Sequence, residues 1–261
     1  MTEDIMNYRL KQLGKSAVDN TIVRVAKYIV THVRASHQNV VEVIIENALR
    51  DSADYADSEM KEALYFRSKE ELWDFACSKI EIDGLVAEFG VFTGYSINYF
   101  AKRLGRHTTI YGFDSFEGLQ EDWRGHILKR GAFSLGGRLP KVASNVELKK
   151  GWFDRTVPDF VAKHPENFSF IHVDSDTYEA ARILLKAVGR KLQKGTIMVF
   201  DEYFGYRGWR VGEWKAWREF VESTGLQYEY LGFAKAQVAI RIKEAGSLRP
   251  TSDLMIESDE R

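Results

Sequence analysis

The sequence predicts an α/β fold in which helices cover both faces of a largely parallel β-sheet. From Gly84 onward, short β-rich runs alternate with stretches of helical periodicity, and this alternation is typical of a parallel sheet with crossover helices. The chain has 261 residues, of which 44% are hydrophobic, enough for one sizeable core with a small accessory region. The predicted strands, in chain order, are "LVAEF", "TIYGF", "NVELK", "FSFIHV", "TIMVF" and "QVAIRI".

The first part of the chain has a helical pattern instead. An amphipathic helix is predicted from apolar residues that recur every three or four positions: Ile22, Val25, Ala26, Ile29 and Val33. Ser68 followed by Glu71 has the spacing of a capping box, which predicts a further helix start. The sequence thus divides into a helical region at 1–79 for packing or oligomerisation, an α/β domain at 80–245 and a polar tail at 246–261.

The composition argues against several classes of partner. The net charge is -1 and the pI is about 6.6, so no strong field favours nucleic acid or an anionic membrane. A single cysteine, Cys77, excludes an internal disulfide and fits a reducing compartment. The N-terminus lacks a secretory signal, and no apolar stretch approaches the roughly 20 residues of a membrane span. We therefore expect a cytoplasmic protein that binds neither nucleic acid nor membrane, and its apolar N-terminal faces favour a homo-oligomer.

The first predicted strand ends in a glycine turn, "EFGVFTGYS", that leads into a helix. Gly90 and Gly94 let the backbone turn sharply and approach a ligand closely. Phe92 stands where a pyrophosphate-binding loop needs a small residue, and Glu88 would repel a phosphate but could pair with an amino group. The turn therefore favours a ligand with an amino-acid-like end and no phosphate.

The next two strand ends offer groups that suit a nucleoside. Asp114 lies roughly 20 residues beyond the glycine turn, where an acidic side chain binds ribose hydroxyls, although aspartate is also common in ordinary turns. Gly151 and Trp152 place aromatic surface where an adenine could lie, although core packing explains such a residue equally well.

Carboxylates follow the last two parallel strands. Asp174 and Asp176 come after one strand, and Asp201 and Glu202 come after the next. Carboxylates that converge from adjacent strand ends repel one another unless a proton or a cation joins them, and oxygen ligands suit Mg²⁺. Asp176 fits the N-cap of the following helix as well as it fits a metal ligand. His172, deeper in the strand, is interpreted as a core residue.

Taken in order, five segments resemble the motifs of class I S-adenosylmethionine (SAM) methyltransferases, and most closely those of the macrocin O-methyltransferase family. These segments are "EFGVFTGYS", "GFDSFEGL", "GWFD", "HVDSDTYEA" and "FDEYFGYRGW". The resemblance covers Leu85 to Ile242. It implies a Rossmann-like, seven-stranded sheet whose last strand is antiparallel. It also implies that the cofactor is SAM, whose methionine end is zwitterionic and carries no phosphate.

The resemblance further implies residue roles. The implied cofactor contacts are Glu88, Phe89, Gly90, Gly94, Ser96, Asp114, Ser115, Phe116, Gly151, Trp152 and Asp174. The implied metal ligands are Asp174, Asp201 and Glu202, of which the two aspartates would also be catalytic. Glu202 departs from the family pattern, since the third ligand is usually Asp in macrocin-type enzymes and Asn in catechol-type ones. Thr177 departs as well, because catechol-type enzymes carry a lysine there.

The methyl acceptor should lie beneath two segments outside the strands and their covering helices. Residues 117–142 form a connection too long for an ordinary turn, and loops of this length are often lids. The second segment follows Glu202. The candidate acceptor contacts are Trp123, Arg124, Tyr203, Tyr206 and Trp209. His126 in the lid is a candidate catalytic base, because histidine titrates near neutrality, with a solvated loop residue as the alternative.

The favoured function is therefore a Mg²⁺-dependent O-methyltransferase acting on a small hydroxylated molecule, such as a sugar or a natural-product intermediate. One alternative is a metal-independent O- or N-methyltransferase that uses His126 or a carboxylate as base. The other is a non-catalytic SAM- or nucleotide-binding module. The four carboxylates at the strand ends argue against this last alternative, because binding SAM alone does not require them.

Overall fold

The computed structural model describes residues 22–28 and 39–247. Contacts between residues divide the chain into two compact units, with the division between Asn47 and Ala48. The segment from Ala48 to residue 79 therefore belongs to the same unit as the sheet. The predicted tail at 246–261 falls largely outside the described residues.

The first unit contains part of the predicted amphipathic helix. Residues 22–28 are helical, and Ile22 and Val25 are exposed there. Ile29 and Val33, which were predicted to continue the apolar face, lie outside the described residues.

The second unit is built on an eight-stranded sheet with the order β1-β7-β8-β6-β5-β2-β3-β4. All neighbouring strands are parallel except β8, which is antiparallel to both β6 and β7. The strands are β1 Leu64–Tyr65, β2 Leu85–Phe89, β3 Ile110–Asp114, β4 Val146–Lys150, β5 Phe168–Val173, β6 Ile197–Phe200, β7 Gln227–Ala234 and β8 Gln237–Glu244. The predicted α/β class and the antiparallel last strand are confirmed.

The sheet has eight strands instead of the seven that were expected, because the two-residue β1 pairs with the edge of β7. A run of two residues has no periodicity that a sequence pattern could reveal. The sequence pattern does not predict β7 either, because its residues are mostly half-buried and include Gly232, so it lacks the apolar run of a central strand.

Apart from the helical residues 22–28 and two short 3-10 helices, six α-helices of the described chain accompany these strands. They are α1 Val40–Glu59, α2 Lys69–Ser78, α3 Tyr95–Leu104, α4 Phe153–Lys163, α5 Tyr178–Val188 and α6 Glu213–Thr224. The predicted capping box is present at the start of α2: Ser68 is the N-cap, and its hydroxyl accepts a hydrogen bond from Glu71 N at 3.2 Å. Among the described residues, no helix combines the length and apolar character needed to cross a bilayer.

The central strands β2, β5 and β6 are buried along their whole length, as expected for parallel strands covered on both faces. Successive side chains of a strand point to opposite faces. Ala87 and Phe89 therefore pack into the core on one face of the sheet, and Val86 packs into the core on the other. Glu88 shares the face of Val86, so its carboxylate lies on the opposite face of the sheet from Ala87 and Phe89.

The connection between β3 and β4, residues 115–145, contains neither helix nor strand. Backbone hydrogen bonds close it on itself: Leu119 N donates to Ala132 O, and Gly131 N donates to Leu119 O, both at 2.9 Å. Trp123 is buried within it. This is the segment that was predicted to form a lid.

Candidate active site

A cavity of about 520 Å³ lies at the carboxyl ends of the parallel strands. The loops that follow β2, β3, β4, β5 and β6 all line it, including Gly90, Asp114, Trp152, Asp174 and Glu202. This is the position at which parallel α/β sheets bind their ligands. The strand ends that the sequence singled out therefore converge on one cavity.

Gly90 joins the end of β2 to the end of β5. Its φ is +94°, and a Cβ at this position would lie 1.6 Å from the carbonyl oxygen of Asp174. The close approach that requires glycine is thus made to the neighbouring strand end, and the cavity opens beside it. Asp174 N donates to Phe89 O at 2.8 Å and fixes the same junction.

Asp114 organises the loop after β2. Its Oδ2 accepts hydrogen bonds from Val91 N and Phe92 N at 2.9 and 2.8 Å, and its Oδ1 accepts one from Phe116 N at 2.6 Å. Asp114 also lines the cavity, where its predicted ribose contact would be made. A carboxylate has about four acceptor positions, so three backbone bonds leave capacity for one ribose hydroxyl.

Gly151 and Trp152 follow β4 and line the same cavity, as does Ser115. Gly151 N donates to Asp114 O at 2.9 Å, which couples this loop to the end of β3. Trp152 is half-buried at the N-cap position of α4. Its indole is the aromatic surface available to an adenine from this side.

Carboxylates from the ends of β5 and β6 form an acidic cluster in the cavity. Oxygens of Asp174, Asp176 and Glu202 all lie within 4.8 Å of one another. Asp176 does not cap α5, because Thr177 is the N-cap and its hydroxyl accepts from Ala180 N at 3.4 Å. Asp176 instead has a φ of +61°, uncommon for a residue other than glycine.

The surroundings of the cluster disfavour the ionised form of its carboxyl groups. Burial, together with the neighbouring carboxylates, raises the pKa values of Asp174, Asp176 and Glu202 well above their ordinary range. The Oε2 atom of Glu202 is buried without a hydrogen-bond partner among the described residues. A bound divalent cation would neutralise these carboxylates, and the unpartnered Glu202 oxygen would then be one of its ligands. The residues present therefore fit such an ion.

The structure places Asp201, the remaining predicted metal ligand, at the edge of this cluster. Gln237 Nε2 donates to its Oδ1, and His172 Nε2 lies 3.7 Å from the same atom. Burial would raise the pKa of Asp201, but the His172 imidazolium outweighs that effect and lowers it. The three groups that the structure brings together thus include Asp176 in place of Asp201, because Asp201 turns toward His172.

His172 is fully buried, which agrees with its interpretation as a core residue, and it belongs to a buried chain of polar side chains. Its Nδ1 lies 3.0 Å from Glu88 Oε2, and Glu88 Oε1 accepts from Ser96 Oγ at 3.1 Å. Burial alone would lower the pKa of His172, yet Asp201 and Glu88 raise it to about 9. Glu88 was expected to meet the amino group of the cofactor, but the strand alternation directs it to His172 instead.

Four further predicted cofactor contacts are absent from the cavity lining. Phe89 and Phe116 are fully buried in the core, and Ser96 is buried against Glu88. Gly94 has a φ of +85° and is the N-cap of α3, so its glycine serves the turn. These four residues therefore do not contact the cavity directly.

The predicted acceptor contacts divide into two groups. Trp123 and Arg124 line a second cavity of about 140 Å³, which adjoins the first through four shared residues: Glu121, Asp176, Thr177 and Glu179.

The other three lie elsewhere. Tyr203 and Trp209 are buried in the core, and Tyr206, whose hydroxyl donates to Glu202 O at 3.4 Å, lines neither cavity. Aromatic residues in an irregular segment gave no sign of which would turn inward.

His126 is exposed, and its ring stacks on Trp123 at 4.6 Å between centroids. Its Nδ1 accepts a hydrogen bond from Leu128 N at 3.3 Å. His126 lines neither cavity. The structure therefore gives no support to its prediction as the catalytic base.

Two residues near the acidic cluster were not predicted from the sequence. Glu213, the first residue of α6, is fully buried and accepts hydrogen bonds from the loops after β5 and β6. Gln237, at the start of β8, links Asp201 to Trp73, whose Nε1 donates to Gln237 Oε1 at 2.7 Å. Both act from elements far along the chain, and neither stands in a motif, so the sequence held no signal for them.

Comparisons with known proteins agree with this geometry. A family model described as a methyltransferase domain matches residues 87–203. The solved structure of CalS11, a calicheamicin methyltransferase, is similar at 24% identity with a TM-score of 0.54, covering 66% of this chain and 77% of that one. The structure of the O-methyltransferase NovP is similar at 18% identity with a TM-score of 0.54, covering 67% and 80%. No similar protein was found among curated sequences.

The family match spans the chain from β2 to the residues just after β6, which is the part that supplies the cavity. The two solved structures share the fold. Residues 87–203 thus match a methyltransferase domain, and the cavity at the strand ends lies within this part of the chain.

Proposed function

We propose that this domain transfers the methyl group of SAM to a hydroxyl oxygen of a small molecule, with Mg²⁺ held by the acidic cluster. The observation that carries this proposal is the convergence of Asp174, Asp176 and Glu202 within 4.8 Å of one another inside the cofactor cavity. Their raised pKa values and the unpartnered Glu202 oxygen favour a cation at this place. An all-oxygen ligand set suits Mg²⁺.

The chain's own residues would divide the work as follows. Asp114 would bind the ribose and Trp152 would lie against the adenine, which directs the methionine end toward Gly90 and the acidic cluster. When bound, SAM supplies the sulfonium methyl group, and Mg²⁺ supplies positive charge that favours loss of the acceptor's hydroxyl proton. Asp174 and Glu202 would help to hold the ion, and the cavity would hold the acceptor oxygen in line with the methyl group.

Asp176 is the carboxylate best placed to remove the proton. It lines both the cofactor cavity and the adjoining second cavity, so it faces the junction where an acceptor would meet SAM. Without a bound cation, burial and the neighbouring carboxylates raise its pKa well above the ordinary range. The second cavity, with Trp123 and Arg124 in its lining, would hold the remainder of the acceptor.

The side chains that line the two cavities support the proposed acceptor class more than the comparisons with known proteins do. CalS11 is a calicheamicin methyltransferase and NovP an O-methyltransferase, but both share only the fold with this chain. A sugar or natural-product hydroxyl fits a site built from carboxylates and aromatic side chains. We propose an acceptor of that class.

The test is an acceptor screen with isotopically labelled SAM in protein freed of metal by chelation and checked by elemental analysis. Restored transfer on addition of Mg²⁺ supports the proposal, and the labelled product should carry an O-methyl group. Asp176→Asn should lower kcat far more than it lowers SAM affinity. Full activity in metal-free protein would exclude the metal.

A metal-independent transferase is the second candidate, and one observation favours it. The raised pKa values of Asp174, Asp176 and Glu202 mean that protons can relieve the repulsion as a cation would. With those protons on Asp174 and Glu202, an ionised Asp176 would serve as the base directly, on an oxygen or a nitrogen acceptor. Activity that survives chelation but is lost in Asp176→Asn would select this candidate.

We also propose that the protein forms homo-oligomers through its N-terminal helices. In α1, Val41, Ile45 and Leu49 are largely exposed. Exposed apolar patches of this kind mark interaction surfaces. Light scattering over a range of concentrations tests this, and a monomer throughout would contradict it.

A further inference from the structure

Glu213 connects the two loops that carry the acidic cluster. Its Oε1 accepts hydrogen bonds from both Ser175 N and Ser175 Oγ at 2.8 Å, and its Oε2 accepts one from Glu202 N at 3.3 Å. Ser175 stands between Asp174 and Asp176. One carboxylate on α6 therefore ties the loop after β5 to the loop after β6.

This is a costly place for a carboxylate. Glu213 is fully buried beside several other acids, and no lysine, arginine or histidine of the described chain pairs with it. Burying a charge without a cation is unfavourable unless hydrogen bonds compensate, and packing alone would be served by a neutral side chain. A carboxylate is the side chain that accepts three donors from two separate loops at once.

The contact to Ser175 also bears on a strained residue. Asp176 follows Ser175 directly and has a φ of +61°. Such a conformation persists only where the surroundings restrain it. Both donors of Ser175, backbone and hydroxyl, are held by Glu213 one residue before the strain.

We propose that Glu213 is a positioning residue that fixes Asp176 and Glu202 at the separation a divalent cation requires. Glu213 does not line the cofactor cavity, so it acts through the two loops that it holds. This inference rests on the proposed function, because it concerns the cation of that same site.

Two variants separate the two halves of the contact. In Glu213→Gln the amide oxygen can still accept from Ser175, but the amide nitrogen faces Glu202 N, so one donor meets another. In Glu213→Asp the side chain is one methylene shorter and cannot keep both loops. Thr224→Val is the matched control, because Thr224 is also buried on α6 and its hydroxyl donates to Phe220 O at 2.8 Å.

The experiment measures binding of Mn²⁺ to the full-length protein by electron paramagnetic resonance and binding of S-adenosylhomocysteine (SAH) by calorimetry. Loss of a residue that orients metal ligands typically weakens metal affinity by about 10- to 100-fold, and we expect that loss in both Glu213 variants. SAH affinity should stay unchanged, because Asp114 and Trp152 are untouched. Thr224→Val should lower Tm and leave Mn²⁺ affinity unchanged.

The outcomes distinguish the inference from the proposed function. If the wild-type protein fails to bind Mn²⁺, the metal site falls, and this inference falls with it. If the wild type binds Mn²⁺ and both Glu213 variants bind it equally well, only the inference is overturned. Parallel loss of Mn²⁺ and SAH binding would show a general structural role and would overturn it too. Should neither variant fold, Ser175→Ala replaces them: weaker Mn²⁺ binding supports the inference, and unchanged binding overturns it.

Discussion

Replacing Gly90 by alanine tests the geometry at the junction of β2 and β5. A Cβ on Gly90 would lie 1.6 Å from Asp174 O, far inside any allowed contact, and the neighbour is backbone that cannot rotate away. The loop after β2 must therefore move off the end of β5. Because this loop and Asp174 both line the cavity in which we propose that SAM binds, the substitution should reduce stability and SAH affinity together.

The magnitude follows from a matched position. Gly225, the C-cap of α6, has a φ of +68° and nothing within 4 Å of its added Cβ, so Gly225→Ala costs only the left-handed backbone strain, about 1–2 kcal/mol. Gly90 has a φ of +94° and adds the clash, which for overpacking costs a further 1–3 kcal/mol or so. With about 2–4 °C per kcal/mol for a domain of this size, Tm should fall by roughly 2–8 °C for Gly225→Ala and 4–20 °C for Gly90→Ala.

The assay is thermal unfolding of both variants, followed by calorimetric titration with SAH at a temperature where both are folded. Gly225→Ala should bind SAH as the wild type does, since Gly225 lies outside the cavity lining. Equal Tm values for the two variants would refute the reasoning, because they would show that the space beside Gly90 is not restricted. Unchanged SAH affinity in Gly90→Ala would show that the junction does not shape the cofactor site.

Three further predictions concern the same region. Trp152→Ala should weaken SAH binding with little loss of stability, measured by calorimetry and thermal unfolding, because its half-buried ring lines the cavity; equal affinity would remove the adenine contact. Asp114→Asn should lower both SAH affinity and Tm, because its amide group would face backbone N–H donors; a loss of affinity alone would show that the loop does not depend on the carboxylate. The metal-free protein should lose stability as pH rises from 5 to 9, measured by urea unfolding. Burial raises the pKa of Glu213 from 4.5 to about 7, and Asp201 and Glu88, outweighing burial, raise that of His172 from 6.5 to about 9. Each contribution is complete below the unfolded-state pKa and is lost as pH rises through the folded-state pKa, and stability that rises over this range would contradict the assignment.

The position of the site could be predicted from the sequence because it depends on local patterns. Largely apolar runs predicted β2, β5 and β6, and parallel strands place their carboxyl ends at one edge of a sheet. Glycine and carboxylate residues directly after those runs therefore had to meet. The cavity with Gly90 and Asp174 in its lining confirms that inference.

The direction of individual side chains could not be predicted in the same way. Glu88 is the fourth residue of a five-residue strand, and its partner His172 lies 84 positions away. The pairing of β2 with β5 sets these two opposite each other, and the sequence does not state that register. The same holds for Glu213, whose role arises only when α6 docks beside the loops after β5 and β6.

Asp176 shows how a competing local rule can mislead. An aspartate before a helix suggests an N-cap, yet Thr177 takes that position one residue later. The cap therefore shifts by one residue and leaves Asp176 in a strained conformation that faces the cavity. Residues other than glycine with a strained backbone are concentrated at functional sites, and local sequence preferences fail to predict their conformation there.

The most direct test of the account is a crystal structure of the full-length protein with SAH and Mn²⁺, using anomalous scattering to locate the ion. We expect SAH in the cavity, with its ribose at Asp114 and its adenine at Trp152, and an anomalous peak in contact with Asp174, Asp176 and Glu202. SAH bound in the cavity with no anomalous peak at the acidic cluster would contradict the metal-dependent mechanism.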